Sequence, residues 1–95
     1  MAKVIIKVAK GSKVNKVAGM TAAMVRGEKE VELHAVGSKA VNQAAKAIAL
    51  ARKYLEQDAL DISVFMRAER TDPEKDAVII VMEIVVQDRI PEEFK

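Results

Sequence analysis

The triplet Gly-Ser-Lys occurs twice, at residues 11–13 and 37–39, and each copy separates a segment of strand character from one of helix character. Ahead of the first, Lys3 to Val8 is rich in β-branched residues, which suit a pleated ladder. After it, Val14, Val17, Ala18, Thr21, Ala22, Met24 and Val25 recur at helical spacing and predict a helix over roughly residues 13–26. Ahead of the second, Glu30 to Val36 alternates with period two, Val31, Leu33 and Ala35 against Glu32 and His34, as a half-buried strand does. Residues 39–55 then form the clearest helix, with Val41, Ala44, Ala45, Ile48 and Leu55 on one face and Lys39, Asn42, Gln43, Lys46 and Lys53 on the other. Two strand-turn-helix units in succession leave few folds open. If their strands are parallel neighbours, both turns lie at the same end of one sheet.

The rest of the chain reads as two more strands, Asp61 to Arg67 and Ala77 to Val86. Between them Thr71 to Asp76 is turn chemistry, and Pro73 cannot extend a ladder, so the two strands should form an antiparallel hairpin with a polar tip. Pro91 to Lys95 is a short tail, and no linker interrupts the chain. The 95 residues suffice for a single domain spanning 1–95. The expected fold is α+β, a two-layer sandwich in the order β-α-β-α-β-β, with a four-stranded mixed sheet and two helices on one face. At the helix ends, Gly27 is expected in a left-handed closing position and Ser12 and Ser38 as capping residues.

Two helices cover only one face of such a sheet, yet the fourth strand is apolar on both. Val78, Ile80, Met82 and Ile84 fall on one face and Ile79, Val81 and Val85 on the other, with Phe65 free to join either set. Leu50 also falls on the polar side of the second helix. An exposed apolar stripe of this kind marks an association surface, so a twofold homodimer, or a higher oligomer, is expected.

Net charge is only +2, but it is unevenly spread. Residues 1–55 carry eleven basic and three acidic side chains, a balance of +8; residues 56–95 carry five and eleven, a balance of −6. The first 27 residues hold six basic groups and no acid. This asymmetry points to an anionic partner for the N-terminal half. A lysine in the first turn of a helix opposes the helix dipole and makes better sense beside a bound anion. Lys10, Gly11, Ser12, Lys13 and Lys16 around the first turn, and Gly37, Ser38, Lys39, Asn42, Gln43 and Lys46 around the second, are therefore the candidate contact residues. Neither turn has the spacing of a nucleotide-binding loop, so backbone phosphates of DNA or RNA are the expected ligand.

Several chemistries find no support. There is no Cys, which removes disulfides and thiolate chemistry and fits a reducing cytoplasm, with a nucleoid association open. His34 is the sole histidine; with Glu32 beside it on one strand face it makes neither a metal site nor a catalytic triad. Asp72, Glu74 and Asp76 lack the calcium-loop pattern. The five Met residues are scattered and suit core gaps. No signal peptide and no apolar stretch of transmembrane length is present, and no cofactor is implied. Tyr54 and Phe65 form no recognisable base-stacking motif, so binding should rest on charge and shape with weak sequence preference. The expected protein is not an enzyme.

The segment Val31 to Arg52 closely resembles the centre of the stage V sporulation protein S family, most of the match lying in Asn42-Gln43-Ala44, Lys46-Ala47-Ile48-Ala49 and Ala51-Arg52. Asn15 with Val17-Ala18-Gly19 is similar to that family's first helix. The resemblance covers residues 3–55 well and the last 40 in pattern. It groups the chain with Alba-like proteins and implies the same element order, a dimer, nucleic-acid binding, and a regulatory role in sporulation or development. It also implies contacts from the first basic turn, Lys10, Lys13 and Lys16, and from the hairpin, Arg67, Arg70 and Lys75. The hairpin departs from that pattern, because Asp72, Glu74 and Asp76 make its tip acidic. The first turn lacks a paired lysine, which sets an archaeal Alba-type chromatin protein second. From another class, a protein-interaction module using the open sheet face or the Asn42/Gln43 helix face is the alternative.

Overall fold

The computed structural model describes residues 3–72 and 77–88. Of the expected hairpin tip at 71–76, residues 73–76 with the expected contact Lys75 lie outside the described residues, as does the tail at 91–95. The elements run β1 (Lys3–Val8), α1 (Val14–Arg26), β2 (Glu30–Val36), α2 (Ser38–Tyr54), a 3-10 turn (Leu55–Asp58), β3 (Leu60–Asp72) and β4 (Ala77–Asp88). The sheet order is β1-β2-β4-β3. β1 and β2 are parallel, β4 is antiparallel to both β2 and β3, and the mixed α+β sheet expected from the sequence is the one formed.

The period-two pattern places Ile6 and Val8 of β1, Val31, Leu33 and Ala35 of β2, Ile62 of β3, and Met82 and Ile84 of β4 in one buried layer with the helices. The helices contribute Val17, Ala18, Ala22 and Val25 from α1 and Ala40, Ala44, Ala47, Ile48 and Ala51 from α2. Alanines at the α1–α2 contact add little bulk, so the two helices lie closely side by side. Thr21 is fully buried because its hydroxyl donates to the Val17 carbonyl at 2.8 Å, one turn back.

Several local expectations need correction. The inward face of α2 contains Ala47 and Ala51, and Ala45 is exposed. In an alanine-rich helix the hydrophobic period is weakly marked, since alanine suits either face. Leu50 is not on a free polar side but packs half-buried against the core. Gly27 is not left-handed, with φ of −81°. Its neighbour Glu28 takes that conformation at φ 58°, while the Glu28 and Lys29 amides donate to the Val25 and Met24 carbonyls and close the helix. Neither serine caps a helix. Ser12 Oγ instead accepts from the Ala9 amide at 2.8 Å, Lys13 stands at the start of α1, and Gly37 stands at the start of α2.

The hairpin arms overrun their expected ends, because Ala77 to Val81 at the start of β4 take Asp72 back to Arg67 of β3 as ladder partners. A register shift between Arg70 and Asp72 marks where that ladder becomes irregular. On the face away from the helices, the expected apolar stripe is interrupted. Val81 there is fully buried and Phe65 is 68 % exposed, but Glu32, His34, Arg67 and Glu83 lie among them.

Candidate functional site

Parallel pairing of β1 with β2, with Val8 opposite Ala35, brings the two Gly-Ser-Lys turns to the same end of the sheet. The turns are not equivalent. Five residues separate β1 from α1, whereas Gly37 alone separates β2 from α2. Gly37 sits at φ 89°, ψ 155°, a region open essentially to glycine alone, and lets the strand pass into a helix in one residue. Gly11 has no positive φ and needs no such freedom. A side chain ties the turns together: Gln43 Nε2 on α2 donates to the Ser12 carbonyl at 2.8 Å. Gln43, expected as a contact residue, is thus engaged in holding the first turn.

Lys10, Lys13, Lys16, Lys39, Asn42 and Lys46 are exposed. Neither helix has an acidic residue in its first turn. None of these lysines forms an ion pair among the described residues. The arginines behave differently. Arg26 pairs with Asp58 at 2.8 Å and donates to the Tyr54 carbonyl, and Arg52 pairs with Asp61 at 2.6 Å. The end of the sheet therefore carries unneutralised charge beside two helix N-termini, a field that attracts anions.

Arg67 lies apart from this cluster. On β3, opposite Val81, it reaches Glu69 at 2.8 Å, Glu32 at 3.3 Å and Glu83 at 3.4 Å. Arg70 is exposed opposite Val78, one position beyond the Val36–Ile79 pair, and so lies towards the same end of the sheet as the two turns. Glu32 is only 4 % exposed and faces Glu83 directly across the β2–β4 ladder. Two carboxylates in that position repel, and the Arg67 guanidinium bridges them. His34 Nε2 at 3.0 Å and Lys3 Nζ at 3.0 Å complete the surroundings of Glu32. The His34 hydrogen bond first, then Lys3 and Arg67, outweigh burial and bring the Glu32 carboxyl down to about 2. An ionised carboxylate only accepts, so His34 carries its hydrogen on Nε2, and its Nδ1 has no partner among the described residues.

The nearness of His34 to Glu32 is readable from their spacing on one strand. Their link to Arg67, 35 residues from Glu32, depends on strand register. So does a cleft of about 430 Å³ where Lys7, Lys10, His34, Val36 and Ile79 meet on the open face. Among the described residues no group of three or more His, Asp or Glu could hold a metal ion, and no helix is long and apolar enough to cross a membrane.

Fold and surface together define a small two-layer α+β domain with a lysine rim at the end where its parallel strands give way to helices. The family description Stage V sporulation protein S (SpoVS) matches residues 4–86. The chain belongs to that family, which sets it among sporulation-related proteins.

Proposed function

We propose that the chain is a nucleic-acid-binding regulatory protein, acting as a homodimer with little sequence specificity in sporulation or developmental gene regulation. The observation that carries this reading is the juxtaposition of two acid-free, lysine-bearing helix starts by the β1–β2 pairing. Lys10, Lys13, Lys16, Lys39 and Lys46 would contact phosphates, which fixes the chain on a nucleic-acid backbone without reading its sequence. Catalysis forms no part of this role, and a cytoplasmic site of action, with or without the nucleoid, accords with it. Phe65 at 68 % and Met66 at 60 % exposure lie on opposite faces of the edge strand β3, and apolar exposure on both sides of a sheet edge favours association between copies.

The test is binding to duplex DNA, single-stranded DNA and RNA across a salt series. Five phosphate contacts to duplex DNA give a slope of about −4 to −5 in log affinity against log salt. Replacing Lys13 and Lys39 by Glu should weaken binding to every sequence; retained affinity in that double variant rejects the assignment. Sedimentation at micromolar concentration tests the dimer, and a strict monomer rejects it. A second reading, a protein-interaction module, draws on the exposure of Ile5, Val36 and Phe65 on the open sheet face. It requires a protein partner and no salt-sensitive binding to either polymer.

A further inference from the structure

We infer that the cleft between Lys7, Lys10, His34, Val36 and Ile79 receives one unstacked base of a single-stranded nucleic acid. This rests on the nucleic-acid reading above and adds to it a preference for single strands. Val36 and Ile79 are direct partners across the β2–β4 ladder and give the cleft an apolar floor. Val36 is 53 % exposed, so the floor is open to a ligand. His34 lines one side, two residues along β2, and Lys7 stands opposite it on β1. Lys10 reaches the same cleft from the turn leading to Lys13 and connects it with the lysine rim.

The chemistry of this lining selects its occupant. A base offers a flat apolar face to Val36, Ile79 and the imidazole, and polar edge atoms to the free His34 Nδ1. Lys7 and Lys10 have no carboxylate partner among the described residues and are left for the flanking phosphates. Two other clefts mix both signs, Glu28 and Glu30 with Arg26 and Lys29 in one and Glu30, Glu32 and Glu83 with Lys3 in the other, whereas the charged residues of this cleft are basic without a carboxylate. A duplex keeps its base faces stacked inside and cannot offer one to a floor of this kind. Imidazole is among the side chains on which unpaired bases stack.

The experiment compares a labelled oligothymidine 12-mer with an abasic strand of equal length by fluorescence anisotropy at fixed salt, using the full chain. The thymidine strand should bind about tenfold more tightly. Val36→Ser should reduce that ratio towards one, with an unchanged melting temperature as control for folding. In parallel, a 5-iodouracil strand crosslinked by light should give adducts on residues 34–36. Equal affinity for the two strands, with crosslinks confined to residues 10–16 and 39–46, removes the base site and leaves the phosphate-binding reading standing. Loss of dimer in Val36→Ser with the affinity ratio intact assigns the cleft to self-association and likewise overturns the proposal. Failure of every nucleic acid to bind removes both readings together.

Discussion

Gln43 donates its side-chain amide to the backbone carbonyl of Ser12, joining the second helix to the turn before the first across 31 residues of sequence. The bond occupies the Ser12 carbonyl, while the Ser12 hydroxyl accepts from Ala9, so both oxygens of this residue brace the turn. Gln43→Ala should lower stability by about 1 kcal/mol, the usual net worth of such a bond. It should also loosen the spacing of Lys13 from Lys39 and weaken nucleic-acid binding. Urea unfolding and the salt series read the two effects separately, and unchanged values in both would show that the bond braces nothing.

The two glycines that open the repeated triplets should respond differently to one substitution. At Gly37, with φ 89° and ψ 155°, a Cβ forces strain, and Gly37→Ala should cost about 1–3 kcal/mol. At Gly11 nothing lies within 4 Å of an added Cβ and φ is not positive, so Gly11→Ala should change stability by under about 0.5 kcal/mol. Thermal unfolding of both variants decides the matter. Equal losses would mean that the two turns share a geometry.

That contrast indicates how much a sequence of this kind discloses. Element order and the alternation of β2 follow from periodicity, because strand and helical spacings differ sharply there, whereas the parallel pairing of β1 with β2 and the choice between the two apolar faces of β4 are set by the sheet. The Gly-Ser-Lys echo identified where the charge gathers but concealed a shift between chain and helix start, with Lys13 at the start of α1 and Lys39 two residues into its helix. Turn geometry depends on dihedral angles that residue type only biases. The charged group on the open face was illegible for a different reason. Glu32, Lys3 and Arg67 come from three strands, and only the register of the sheet brings them together.

Glu28 closes α1 in the left-handed conformation at φ 58°, where a side chain is disfavoured. Its carboxylate forms no ion pair among the described residues, so replacement forfeits no such contact. Glu28→Gly should therefore stabilise the protein by about 1 kcal/mol and raise the melting temperature, the relief of strain exceeding the added freedom of the unfolded chain. A lowered melting temperature would show that this strain is already relaxed.

The acid response of the fold should run through Glu32. Its carboxyl is held at about 2 in the folded protein against 4.5 ordinarily, by His34 first and then Lys3 and Arg67. Above pH 4.5 the group is ionised in both states and its contribution to stability is complete. Below that value the unfolded chain takes up a proton that the folded protein refuses, so stability falls with pH until the folded carboxyl also protonates near 2. Other paired carboxylates, Asp58 and Asp61 among them, add a background of their own, and comparison with Glu32→Gln removes it. The variant should be less stable at pH 6, and the gap between the two proteins should narrow steadily as the pH is lowered from 4.5 towards 2. Urea midpoints at half-unit steps from pH 6 to 2 measure that gap. A gap that stays constant across the series would assign the Glu32 contacts to packing alone.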